Sequence, residues 1–426
     1  MNKTVIVVGG GLAGLTAANF AADAGCNVTL FEKSHIIGGR AMTSDKNGVK
    51  FNLGPHALYR GGQAIRILRE LGVPFHGDLA PVSQLLAIKN GNKQKLPADG
   101  LSLMTTKLFG ISAKVEGGTL LTLLPKFDAA KYDRMSLREW LAKEVRNDDL
   151  RQLLQALFRL ATYANEPDRQ SAGVAVAQLQ MALKESVIYL DGGWQTLADG
   201  LRARAEQAGV KIIAESMVAN VEVHNRRAIG VRLADGLRHS ADAIILAVSP
   251  AEASDLIEDG EQTEFGKWAE NSVPVKAACL DIALERLPDP SAVFALGIDR
   301  PLYFSVHSSM AKLAPAGKAV IHVAMYLASN ADNDPKAIEQ ELEALLDLVQ
   351  PGWRTLVIER RFLSKITVVN SLVTAEHGGL SARPKIAAPD IERLFLAGDW
   401  VGAEGWLADA SVASGKRAAE LASRAW

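Results

Sequence analysis

The first 32 residues most constrain what this chain can fold into. Val5-Ile6-Val7-Val8 is a short β-branched run that stops at glycine, and Gly9, Gly11 and Gly14 follow at the spacing G-x-G-x-x-G. Such a run suits a parallel strand covered on both faces. In this pattern the first glycine permits a tight turn, the second lets backbone approach a pyrophosphate, and the third allows close packing of helix on strand. The alanine-rich stretch from about Leu12 to Ala24 reads as a helix, with Gly25 where a left-handed cap falls. Asn27–Phe31 reads as the next strand. Glu32 ends it about twenty residues after the glycines, where a carboxylate can accept from a ribose diol. A diphosphate would rest on the helix N-terminus, at Leu12 and Ala13. Glycines alone would describe an ordinary βα turn; strand, helix, second strand and terminal acid together point to a bound dinucleotide.

Lys33-Ser34-His35-Ile36-Ile37-Gly38-Gly39-Arg40 adds a second glycine pair and an arginine just beyond the acid. This resembles the E-K-x-x-x-x-G-G-R signature of the FAD-dependent family that contains amine oxidases, protoporphyrinogen oxidases and phytoene or squalene desaturases. The resemblance implies an α/β fold: a Rossmann-like FAD-binding domain of the two-segment type with an inserted α+β substrate domain. It implies FAD as cofactor, with Lys33, Gly38, Gly39 and Arg40 on its pyrophosphate side, where a guanidinium can pair with phosphate oxygens.

The same resemblance extends along the chain. Gly54, Pro55 and His56 match a segment that lies beside the isoalloxazine ring, with Asn52 where the family has aspartate. His56 is a candidate proton acceptor, or else a histidine bonded to loop backbone. Val218 matches the position whose backbone meets adenine. Lys276, ahead of an apolar strand, matches a lysine that reaches the flavin through water, or else is a lysine on a strand edge. Gly398 and Asp399 match the pair that holds the ribityl-phosphate portion, and Trp406, Leu407 and Ala408 open the last helix beside the flavin pyrimidine. No cysteine lies near that helix, so FAD should be noncovalent. Leu407 stands about where amine oxidases place a cage tyrosine, which shifts the resemblance toward the desaturases.

The bulk composition sets the remaining bounds. A chain of 426 residues, 48% hydrophobic and 22% charged, is long enough for two or three cores. Its net charge of −1, without a basic cluster, argues against nucleic acid as a partner. Cys26 and Cys279 are the only cysteines, so no disulfide framework or zinc constellation is expected. With no apolar run of spanning length and a first strand starting almost at Met1, the expectation is a cytoplasmic protein.

The expected organisation is an FAD-binding domain from residues 1–56, 187–254 and 386–426, with a substrate domain from residues 57–186, mostly helical, and 255–385, a sheet plus helix. Asn90-Gly91 predicts a tight hairpin turn. The apolar stretch 101–127 is expected to wall a substrate pocket, the other reading being a peripheral contact with a membrane face. The chemistry that the resemblance implies is desaturase-like dehydrogenation of an apolar small molecule by hydride transfer to flavin N5, the alternative being an amine oxidase or a protoporphyrinogen oxidase-like oxidase, with oxygen or a quinone as electron acceptor. A redox-neutral isomerase remains open. The non-enzymatic alternative is a binding protein like the Rab GDP-dissociation inhibitors, against which the intact Gly9, Gly11, Gly14, Glu32 and Asp399 argue.

Overall fold

The computed structural model describes residues 2–331 and 334–424. Five parallel strands form one sheet in the order Lys211–Ile213, Asn27–Phe31, Thr4–Val8, Ala243–Leu246, Leu394–Leu396. Thr4–Val8 is the middle strand and lies between two covered faces, which accounts for its continuous apolar run. Helices Leu12–Asp23, Gln195–Gln207 and Ala408–Arg424 pack on one face. The antiparallel strands Val218–His224, Arg227–Leu233 and Arg238–Ser240 cover the other. The first and last helices cross closely: a Cβ on Gly415 would stand 2.3 Å from the Ala13 carbonyl oxygen. This is the Rossmann-like α/β arrangement that the sequence implies.

A second sheet of seven strands runs Val357–Val369, Val275–Leu284, Ala319–Leu327, Leu302–Val306, Phe294–Gly297, Leu85–Lys89, Asn92–Lys95. It is antiparallel except where Phe294–Gly297 meets Leu85–Lys89. The final hairpin turns through Asn90 and Gly91, both with positive φ, as a type I′ turn requires. Helix Pro335–Val349 covers one face of this sheet. Helices Leu137–Glu144, Asp148–Thr162 and Ala172–Glu185 cover part of the other, the first capped by the reciprocal Ser136–Glu139 box.

The apolar stretch 101–127 departs from expectation. Leu103, Leu108, Phe109, Leu120 and Leu124 enter the core, whereas Leu101 and Ile111 are 78% and 82% exposed. None of these residues reaches the large cavity between the two sheets, so the stretch does not wall it.

Candidate active site

The cavity, of about 750 Å³, begins where the strand Thr4–Val8 ends and extends to the second sheet. Gly9 turns the chain at φ +104°, and a Cβ there would lie 2.5 Å from the Ala247 carbonyl oxygen. A Cβ on Gly14 would lie 1.9 Å from the Gly9 carbonyl oxygen, so this glycine sits in the helix–strand contact rather than on the cavity wall. Gly11 is different: its Cβ would meet nothing within 4 Å, and the residue faces the cavity as the N-cap of helix Leu12–Asp23, with no side chain capping that helix. The helix start is therefore left open to an anion.

Glu32 is held in place by backbone, its Oε2 accepting from Gly10 N at 2.6 Å and its Oε1 from Ser34 N at 2.9 Å. Each oxygen retains a lone pair for a ribose hydroxyl. Lys33 pairs with Glu252, and both line the same end of the cavity, as does Val218. Gly38 and Gly39 bring Arg40 back against the glycine turn, with Gly38 N donating to Gly10 O at 2.9 Å. Arg40 Nη1 donates to Asp399 Oδ2 at 2.6 Å and to Val368 O at 2.8 Å, so its other donors have no protein partner among the described residues.

Asp399 is 1% exposed and also accepts from Asn370 N at 3.0 Å and Asn370 Nδ2 at 2.9 Å. Burial pushes its pKa up, but Arg40 and Asn370 outweigh burial and hold it below the usual carboxylate range. Asp399 thus ties the turn at residues 39–41 to the strand Val357–Val369 and to the end of the last parallel strand. Replacing Asp399 with alanine should weaken FAD retention by at least about tenfold and destabilise the apoprotein by about 2 kcal/mol, because Arg40 loses its counter-charge. A thermal melt and an FAD titration would measure both, and a variant matching wild type in each would remove this role.

The far end of the cavity is apolar. Leu53, Ala277, Ala324, Ile366 and Leu407 close it together with Tyr163. Tyr163 sits in the left-handed region at φ 62° and donates its hydroxyl to Pro55 O at 3.2 Å. Leu407, Ala408 and Ser411 bring the start of helix Ala408–Arg424 to this wall. His56 lines the cavity with Nδ1 3.0 Å from Gly54 O and Nε2 3.2 Å from Arg40 O. Burial pushes its pKa down to about 4, against the opposing effect of the two carbonyls.

Besides Gly14, three expected site residues lie off the cavity wall. Lys276 is absent from the cavity wall while its neighbour Ala277 is on it; strand alternation turns the lysine to the other face, beside Lys365. Gly54 packs away from the cavity, where a Cβ would meet Ile366 Cδ1 at 2.8 Å and Cys279 Sγ at 3.3 Å. Trp406 is buried behind the wall and donates Nε1–H to Thr162 O at 3.0 Å.

A buried cluster that no sequence motif announces lies under the 53–56 loop. Asp281 Oδ2 accepts from Arg361 Nε at 3.0 Å and Nη2 at 2.6 Å, and its Oδ1 lies 2.5 Å from His322 Nδ1 and 3.5 Å from Cys279 Sγ. The Cys–Asp–His grouping has the donor types of a metal site, but both carboxylate oxygens are already taken and a guanidinium stands beside them. It is therefore a buried ion pair whose carboxylate is fully used, with His322 Nε2 left without a hydrogen-bond partner among the described residues. Arg361 also donates to Asn52 O, which fixes the strand that leads into the 53–56 loop.

The sequence model for flavin containing amine oxidoreductases matches residues 12–422. The chain belongs to that family. FAD is the family's cofactor and oxidation–reduction its class of chemistry. A 4,4'-diaponeurosporene oxygenase of Staphylococcus aureus is 27% identical over 278 residues, 58% of this chain and 55% of the relative, so the chain spans about half the length of the curated relatives it matches. In fold, the chain is similar to an oxidoreductase from Methanosarcina mazei at a TM-score of 0.78 and 19% identity, over 98% of this chain and 100% of the other. It is also similar to the Rab GDI of Plasmodium falciparum at 0.63 and 12% identity, over 98% of each chain. The fold alone therefore does not separate a flavoenzyme from a binding protein, and the residues of the cavity must.

Those residues fit FAD. An uncapped helix start, a glycine with free space where a Cβ would be, an arginine with unpaired donors and an anchored carboxylate stand along one continuous cavity. Together they suit two parts of a flavin dinucleotide: diphosphate for the first three and ribose for the last.

Proposed function

We propose that this flavin containing amine oxidoreductase dehydrogenates an apolar small molecule, with noncovalent FAD held along the cavity and the substrate at its apolar end. The observation that carries this reading is the wall of Leu53, Ala277, Ala324, Ile366 and Leu407, which continues directly from the cofactor cradle and contributes no charged side chain. Bound FAD would supply a two-electron acceptor that takes a hydride from a substrate C–H bond. The protein's part is to hold and shield. Glu32 and the start of helix Leu12–Asp23 orient the nucleotide half, Arg40 neutralises phosphate charge, and the start of helix Ala408–Arg424 offers its positive end where negative charge develops. The apolar wall excludes water from the reacting carbon.

Noncovalent binding is supported by the two thiols: neither Cys26 nor Cys279 lines the cavity, and burial pushes the Cys279 thiol pKa well up. The family also oxidises amines, and Tyr163 supplies one aromatic ring for such a substrate, but Leu407 leaves the cage without a second at that position. Oxygen or a quinone would then take the electrons. Among the described residues no helix is long and apolar enough to cross a membrane. The exposed Leu101, Met104, Ile111 and Val115 on helices Gly100–Thr105 and Ile111–Leu123 would suit a shallow contact of a cytoplasmic protein with a lipid surface.

The test is the visible spectrum of the FAD-loaded protein under anaerobic conditions, titrated separately with isoprenoid lipids and with amines. Bleaching by a lipid is the expected result. Bleaching by amines alone would replace the proposed substrate class, and a protein that takes up no FAD would end the flavoenzyme reading.

A further inference from the structure

His56 is placed in a way that a neutral imidazole cannot satisfy. Nδ1 lies 3.0 Å from the Gly54 carbonyl oxygen and Nε2 lies 3.2 Å from the Arg40 carbonyl oxygen. A neutral ring carries one N–H, so one of the two carbonyls must face a nitrogen lone pair; only the imidazolium donates to both. The backbone is thus arranged for a cation, while burial disfavours one and pushes the pKa down to about 4. Burial therefore favours the uncharged ring at neutral pH.

The surroundings leave this balance to be tipped from the cavity side. Arg40 belongs to the turn Gly39–Ala41, and its guanidinium is turned to Asp399 and Val368 O. Ahead of helix Gln195–Gln207, the Trp194 ring stands 5.0 Å from the imidazole. From the second sheet, Asp281, His322 and Cys279 lie under the loop, with Asp281 neutralised by Arg361; His322 acts on the ring from a distance to lower its pKa and Asp281 to raise it. The Tyr163 hydroxyl, past the end of helix Asp148–Thr162, donates to Pro55 O. Among the described residues, no carboxylate or ammonium makes a hydrogen bond or ion pair with the imidazole itself.

We propose that His56 takes up a proton when negative charge enters the cavity, switching from a neutral imidazole to an imidazolium held between the Gly54 and Arg40 carbonyls. This rests on the reading that FAD fills the cavity. Reduction adds two electrons there, and an opposite charge on the wall favours the anion as the anion favours it. During turnover the proton would be the one that leaves the substrate beside the departing hydride; in chemical reduction it would come from water. His56 is then a proton store on the cavity wall, and its carbonyl partners are what make the charged form bearable in a dry site.

The experiment uses the FAD-loaded protein with 15N-labelled histidine, photoreduced without oxygen at neutral pH, and the His56→Gln variant for assignment. The expected result is a neutral His56 signal in the oxidised protein and an imidazolium signal after reduction. A pH indicator in weak buffer should register about one proton fewer taken up per two-electron reduction in His56→Gln than in wild type. A His56 signal that does not change on reduction, or equal proton uptake in the two proteins, would overturn the proposal. If the variant fails to fold, His56→Asn supplies the assignment, and a wild-type spectrum in which none of the eight histidine rings changes its protonation overturns the proposal by itself. A protein that binds no FAD fails the functional reading as well; one that binds FAD with an unresponsive His56 fails this inference alone.

Discussion

Replacing Gly14 and Gly11 with alanine should have opposite consequences, although the two residues belong to one motif. Gly14→Ala should destabilise the apoprotein by about 3 kcal/mol or more, because its Cβ would stand 1.9 Å from the Gly9 carbonyl oxygen and 3.2 Å from Ala247 Cβ. The helix Leu12–Asp23 cannot back away, since the last helix crosses it at Gly415 with the same closeness. Gly11→Ala should leave the apoprotein within about 1 kcal/mol of wild type, because its backbone at φ −77° is open to alanine and its Cβ meets nothing. That methyl would instead project into the cavity where the diphosphate is proposed to lie, and FAD affinity should fall by about 100-fold or more, near 2.7 kcal/mol. Thermal melts of the apoproteins and FAD titrations by flavin fluorescence separate the two effects. Gly11→Ala binding FAD as wild type does would mean that the cofactor does not approach the backbone there.

The first strand, turn, helix and second strand were legible in the sequence because they are local. Strand, turn, helix and acid occupy residues 4–32, and each has a chemical signature that packing elsewhere does not alter. The far wall was not, for a physical reason. The strand Val275–Leu284 is buried along nearly its whole length on both faces, so its apolar pattern has no period to reveal which side faces the cavity. Lys276 and Ala277 could be told apart only once pairing with Ala319–Leu327 and Val357–Val369, and the irregular register with the latter, had set the orientation. Trp406 misled because an indole beside the last helix suits a cavity wall as well as a core, and the Thr162 carbonyl that claims it lies 244 residues away. The cluster around Asp281 was equally invisible: His322 and Arg361 come from separate strands, 41 and 80 residues distant.

Because that cluster is dry, its disruption should cost more than any surface change. Asp281 is fully buried, and although burial alone would raise its pKa, His322 and Arg361 outweigh that and keep it ionised. Asp281→Ala would strand the Arg361 guanidinium, 15% exposed, together with the His322 ring, and should destabilise the protein by about 3–5 kcal/mol. The single change should also loosen the Arg361 grip on Asn52 O and with it the 53–56 loop, so FAD affinity should fall alongside the melting temperature. The pH dependence has a definite sign. A carboxylate whose folded pKa is depressed contributes stability that is present above its unfolded value, about 3.9, and is lost as pH falls through the folded one. Wild type should therefore lose this contribution only below about pH 4, and Asp281→Ala should lack that part of the acid transition. The decisive comparison is the double variant Asp281→Leu with Arg361→Met, which removes both charges and fills the space. It should be less destabilised than Asp281→Ala alone, because a buried pair exchanged for apolar groups leaves no charge unpaired. A double variant whose loss equals the summed losses of the single variants Asp281→Leu and Arg361→Met would mean that Asp281 and Arg361 act independently, and that the loop is held by something other than their pairing.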